Sequence, residues 1–216
     1  MSSRLLIAFA IASAGTHATA TTTVFDNTAA FLDKVESGYY LNTFTGPAVP
    51  AGADFFSYAN LGFGYLICGA GGSGNCPGSS SGPGSNTWKN GAVVSNNYAG
   101  YSLHVIFDTG NVTAVGGDFF GSPPAGGTFI PATMTITLSD GTSLNYAQAV
   151  IGDAFRGFIS TTPITSLTLA AASGRLNTID NLIVGVASPV PEPSTYAMWM
   201  AGLLAAGAAR RFFSRQ

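Results

Sequence analysis

The chain has 216 residues and a formal net charge of -2 at pH 7, and only 8% of it is Asp, Glu, Lys or Arg, against about 25% in an ordinary soluble domain. That length leaves room for one ordinary domain beside terminal addresses. Between the termini Lys34, Lys89, Arg156 and Arg175 stand against Asp26, Asp33, Glu36, Asp54, Asp108, Asp118, Asp140, Asp153 and Asp180, an acidic balance that excludes the basic footprint of a nucleic-acid binder.

Residues 1–20 open with Arg4, continue as an apolar run from Leu5 to Ala14 and end on Ala18-Thr19-Ala20. A positive start, an apolar stretch too short to span a bilayer and a small-residue site make a secretory signal peptide. The mature chain is expected to begin at Thr21, with a domain over residues 21–187.

That domain reads as all-β, a β-sandwich with one short N-terminal helix. The helix is expected near Thr28 to Glu36, where Asn27 or Thr28 can cap it and Phe31 and Val35 fall one turn apart; it would cover one end of the sandwich. Runs rich in Val, Ile, Thr, Tyr and Phe between Gly, Pro, Asn and Ser clusters are the strand signature. They predict strands over Thr22 to Asp26, Gly62 to Cys68, Ala92 to Ser95, Tyr101 to Asp108, Val112 to Phe120, Phe155 to Ser160, Ile164 to Ala170 and Thr178 to Val186. The clearest is Thr133 to Leu138, which alternates so that Met134, Ile136 and Leu138 share one buried face. Asp140-Gly141 then supplies the positive φ of a tight hairpin, and Ser143 to Ala147 returns. No internal period of 20 to 50 residues points to a solenoid or propeller.

Cys68 and Cys76, the only cysteines, frame a Gly-rich stretch. In the oxidising compartment that export implies, they read as a disulfide closing a small loop. Without further Cys or a nearby His they make a poor zinc site. Gly69 to Asn86 is nearly all Gly, Ser, Pro, Asn and Ala, which predicts a loop unable to bury a core.

Reactive constellations are sparse. His104 stands alone in its strand, and no HExxH, P-loop or GxSxG pattern accompanies it. Trp88, Tyr98 and Tyr101 near the loop are the candidates for stacking on a sugar. Asp118 and Asp153 are the pair a polysaccharide hydrolase would need, a function that depends on a separation the sequence does not give.

After Ser188 come Pro191-Glu192-Pro193, an apolar run from Tyr196 to Ala209, and Arg210, Arg211 and Arg215. This ending over residues 188–216 resembles the PEP-CTERM sorting signal. The resemblance implies processing by an exosortase of a Gram-negative bacterium that makes exopolysaccharide, with Pro191, Glu192 and Pro193 as the sorting motif. As a helix the apolar run reaches about 21 Å, short of a hydrocarbon core near 30 Å. A transmembrane helix here leans on its flanking Phe and Arg side chains or on a thinned bilayer. Arg210, Arg211 and Arg215 would hold the C-terminus in the cytoplasm. The competing reading is a buried C-terminal helix of the domain.

The domain also resembles the secreted jelly-roll and lectin-like modules that carry this tail, in Leu41-Asn42-Thr43-Phe44-Thr45-Gly46 and Ile179-Asp180-Asn181-Leu182-Ile183-Val184. In such folds an early acid and a late Asp share a structural Ca²⁺. Here Thr45 replaces the acid, which leaves Asp180 as the remaining metal candidate and otherwise no cofactor. The expectation is a noncatalytic surface or matrix protein sorted through the membrane and contributing to exopolysaccharide or biofilm organisation. A carbohydrate-binding module is the alternative, and a hydrolase ranks last.

Overall fold

The computed structural model describes residues 21–53, 55–70, 76, 87–124, 127–171, 174–189, 199, 200, 202 and 203. The signal peptide, Pro191-Glu192-Pro193, Arg210, Arg211 and Arg215 lie outside the described residues, as does most of the loop expected over Gly69 to Asn86.

Two antiparallel sheets make an all-β sandwich. The larger runs β1 (Thr22–Phe25), β12 (Phe155–Ser160), β9 (Ala114–Ser122), β14 (Leu176–Gly185), β7 (Val93–Asn96), β6 (Thr87–Asn90) and β3 (Val49–Ala53), with β2 (Tyr40–Asn42) also paired to β14. The smaller runs β11 (Ser143–Gln148), β10 (Ala132–Leu138), β13 (Ser166–Ala171), β8 (Ser102–Phe107), β5 (Phe63–Ala70) and β4 (Phe56–Asn60). Alternation along each strand sends one side-chain set between the sheets. Val115, Phe119, Phe158 and Leu182 from the larger sheet meet Tyr65, Val105, Ile136 and Leu167 from the smaller in one buried cluster. Each large side chain of this kind contributes about 1.5–3 kcal/mol by leaving water.

β10 behaves as its pattern predicts, with Met134, Ile136 and Leu138 buried and Thr133 exposed. Its hairpin turns on Gly141 at φ 88°, and Asp140 Oδ1 accepts from the Thr142 N–H at 2.8 Å. Polar contacts tie the two sheets: the Arg156 guanidinium of β12 lies 3.9 Å over the Tyr146 ring of β11, and the Tyr146 hydroxyl donates to the Phe119 carbonyl of β9 at 2.8 Å.

Strands β2, β3, β4 and β6 have no counterpart in the sequence reading. β3 and β4 end their sheets, and β3 contains Pro50, a residue tolerated on edge strands because it removes a ladder donor. Tyr101 precedes β8 instead of opening it.

The helix α1 (Thr28–Leu32) starts where expected, with Asn27 Oδ1 accepting from the Ala30 N–H at 3.0 Å. It stops four residues early, and Val35 instead bridges to Ala187. It also does not close an end of the sandwich. Phe31 packs with Ala114, Phe155 and Ile183, which face away from the main core, so α1 lies on the outer face of the larger sheet. Two glycines make that approach close: a Cβ on Gly116 would sit 2.7 Å, and one on Gly157 2.5 Å, from the Phe31 ring.

Cys68 and Cys76 stand at disulfide distance, their Cα atoms 5.5 Å apart, and both are buried.

Candidate functional site: a carboxylate slot on the outer face of the larger sheet

Along β9 the side chains that point away from the core are Ala114, Asp118 and Phe120, with Gly116 in the same row. Gly116 lies beneath Phe31 of α1, while Phe120 lies beneath Phe129, which returns over the sheet through a bridge between Gly121 and Ile130. Between these two roofs the sheet opens at Asp118. Across the strands Asp118 stands opposite Phe155 of β12 and opposite Asp180 of β14.

Directly after Asp180 the pairing shifts. Asp180 pairs with Asp118 and Ile183 with Gly116, so Asn181 and Leu182 together oppose Gly117. This is a β-bulge, and Asn181 makes it at φ 49°, in the left-handed region that Asn enters more readily than most residues. The bulge turns the Asn181 side chain onto its neighbour, so that Nδ2 donates to Asp118 Oδ2 at 2.8 Å. Asp118 Oδ1 has no partner among the described residues. Asp180 Oδ1 accepts from the Asn181 N–H at 2.7 Å. Burial pushes the Asp180 carboxyl above the ordinary carboxylate range; the Asn181 N–H opposes that shift and the Asp118 charge adds to it.

A cavity of about 220 Å³ stands over this floor. Asp118, Asn181, Phe155 and Ile183 form its base, Thr28 and Leu32 of α1 one wall, and Tyr39 and Leu41 the other. Leu41 belongs to β2, which pairs with β14 just past the bulge, and is 47% exposed. Its neighbour Asn42 points inward, donating to the Tyr65 hydroxyl at 2.8 Å. Carboxylate, amide and apolar walls together suit a ligand with hydroxyl groups on an apolar skeleton.

The other residues singled out in the sequence sit elsewhere. Trp88 lies in β6, and its side chain falls outside the described residues. Tyr98 and Tyr101 pack on each other with ring centroids 5.5 Å apart, and the Asn96 amide donates to both their carbonyls at 2.8 and 2.7 Å. Tyr98 is 54% exposed. Neither tyrosine lines the cavity. His104 Nδ1 meets the Thr168 hydroxyl at 3.0 Å across the β8–β13 pair, and burial holds its pKa below the ordinary imidazole value. Asp153 Oδ2 accepts from the N–H groups of Ala149 and Val150 at 2.9 and 3.1 Å, which lower its pKa. That carboxylate caps a turn and does not line the cavity with Asp118.

Thr45 and Asp180 each already have other partners. The Thr45 carbonyl faces the Lys89 ammonium at 3.4 Å, and Asp180 Oδ1 already accepts a backbone N–H. A hard cation needs six to eight oxygens and is repelled by a neighbouring positive charge. Among the described residues no group of three or more His, Cys, Asp or Glu converges.

Sequence reasoning found Asp118 and Asp180 as strand carboxylates but missed Asn181, Tyr39 and Leu41 as their companions. The Asp-Asn dipeptide was the available signal, because Asn is the residue after Gly that most readily takes a left-handed bulge position.

In the tail, Trp199, Met200, Gly202 and Leu203 are helical, and Trp199, Met200 and Leu203 are 70%, 63% and 65% exposed. No helix among the described residues is long and apolar enough to cross a membrane.

No curated protein and no solved structure matches the chain at a significant level. Residues 189–215 match the PEP-CTERM protein-sorting motif, and the chain is an exported protein carrying the tail through which Gram-negative bacteria pass such proteins to an exosortase.

Proposed function

We propose that this protein is a noncatalytic component of the cell surface or extracellular matrix and helps to organise exopolysaccharide there. The sorting motif at residues 189–215 carries the reading. The signal peptide over residues 1–20 starts export, and the apolar run from Tyr196 to Ala209 holds the chain briefly in the inner membrane. Arg210, Arg211 and Arg215 keep its end in the cytoplasm. An exosortase that recognises Pro191-Glu192-Pro193 then processes the tail and releases the sandwich outward. The exposed Trp199, Met200 and Leu203 support a tail that seeks a partner outside the domain. Against hydrolysis, Asp153 is held by two backbone N–H groups and does not line the cavity that Asp118 lines.

Replacing Pro191, Glu192 and Pro193 with Ala tests the reading in a host that carries an exosortase and makes exopolysaccharide. The wild type is expected in the matrix fraction without its tail, and the triple variant in the inner membrane at full length. Equal processing and equal location of the two would overturn it. Release of reducing sugar from the matrix polysaccharide by the purified protein would overturn the noncatalytic part.

A further inference from the structure

We infer that the cavity between α1, β2 and the β14 bulge binds one neutral pyranose unit of a polysaccharide, through the hydroxyl groups on one edge of the ring. The inference deepens the matrix reading above and rests on it for the class of ligand. Its ground is the slot itself, where the outer face of β9 is roofed by Phe31 on one side of Asp118 and by Phe129 on the other. Over Asp118 stands a cavity of about 220 Å³, walled by Thr28 and Leu32 of α1 and by Tyr39 and Leu41, the scale of a single sugar ring.

The floor decides the chemistry. Asp118 Oδ2 is occupied by Asn181 Nδ2, which fixes both groups and leaves Asp118 Oδ1, Asn181 Oδ1 and the second amide N–H for a ligand. That set holds acceptors and a donor side by side. Adjacent hydroxyls match it, since each can donate to the carboxylate or carbonyl and accept from the amide. An ammonium has no acceptor for the N–H, and a metal cation is repelled by it. The apolar lining completes the match: Tyr39 and Leu41 of the wall and Phe155 of the base present apolar surface to the C–H face of a pyranose while Asp118 and Asn181 take its rim. Asp118 is fixed before any ligand arrives, so little ordering remains to oppose binding.

The test is saturation-transfer NMR on the full chain in detergent, with methyl α-glucopyranoside, methyl α-galactopyranoside and methyl α-mannopyranoside as probes, each with Ca²⁺ or with EDTA. At least one probe is expected to bind, equally in both buffers. Asn181→Gly retains a residue suited to the left-handed backbone and removes the amide; Asp118→Asn retains the shape and removes the charge. Each is expected to weaken binding about tenfold or more, the scale of one lost hydrogen bond to a charged group, with an unchanged melting temperature for Asn181→Gly. Tyr98→Ala is expected to bind as the wild type does. No binding by any probe, binding only with Ca²⁺, preference for the corresponding 2-amino sugar, or loss in Tyr98→Ala alone would each overturn the inference. The wild type's own location separates the two levels: a chain that is processed and matrix-bound but binds no probe leaves the matrix reading standing and the cavity reading refuted.

Discussion

Asn181 donates its side-chain amide to Asp118 at 2.8 Å across a bulge in which Asn181 itself holds a φ of 49°. Backbone conformation and site chemistry thus depend on one residue. The same bulge shifts the register between Asp180 and Ile183, which sets where β2 lies beside β14 and so where Leu41 stands on the cavity wall.

Substitution at Asn181 should separate these two contributions. Gly accepts the left-handed region without a Cβ, so Asn181→Gly should leave stability within about 0.5 kcal/mol. Asn181→Val places a β-branched side chain where such residues are outliers and should cost about 1–2 kcal/mol. Urea unfolding checks this through the midpoint at constant slope. Equal midpoints for Val and Gly would mean that the bulge is not under local conformational control.

Asp180 gives a pH dependence of opposite sign to the usual carboxylate. Its folded pKa is raised above the ordinary 3.8, by burial first, with the Asp118 charge adding to the shift. The fold therefore disfavours its ionised form, and the stability present below the unfolded pKa is lost as pH rises through the folded pKa. Asp180→Asn should melt above the wild type at pH 7, and the gap should close as pH falls below about 4. A gap that widens with acid would contradict the assigned cause.

How much of this was legible in the sequence depended on whether one face of a strand was buried. β10 was plain because Met134, Ile136 and Leu138 alternate with threonines that face out. β14 was legible as a strand, yet its bulge was not, because Ile179, Asp180, Asn181, Leu182 and Ile183 read as a near-continuous strand, in which the three-residue step from Ile179 to Leu182 is hidden by the apolar Ile183 on the other face. β3 was missed because Val49 to Ala53 has the Pro, Ala and Gly of a loop and becomes a strand only through its pairing with β6. The slot at Asp118 could not be read at all. Its lining comes from α1, from Tyr39 and Leu41, and from β9, β12 and β14, which are distant from one another in the chain.

The seat of α1 should be intolerant of a single methyl group. A Cβ on Gly157 would meet Phe31 Cδ2 at 2.5 Å and Cγ at 2.6 Å, while Phe31 is fully buried and cannot swing into solvent without losing its contacts. Gly157→Ala should therefore cost about 1–3 kcal/mol as overpacking. Pairing it with Phe31→Leu should recover part of the loss, a coupling that a double-mutant cycle measures. Purely additive losses would show that α1 shifts freely over the sheet.

The disulfide should stabilise the exported domain without being needed for its topology. Cys68 and Cys76 are 8 positions apart, and Cys68 lies near the end of β5, where β5 is already paired with β8 from Tyr65 to Ala70. The bond therefore pins a short excursion from a strand that the sheet holds by itself. A loop this small removes limited entropy from the unfolded chain, so replacing both residues with Ala should cost about 2–3 kcal/mol. Far-ultraviolet circular dichroism should be unchanged, because the β5–β8 register does not depend on the bond. Dithiothreitol should lower the wild-type midpoint by a similar amount and leave the double-Ala variant where it was. Were the double variant to lose its β signal at room temperature, the bond would be a condition of folding and not a clip on a finished sheet; were dithiothreitol to move both proteins equally, the stabilisation would not reside in Cys68–Cys76.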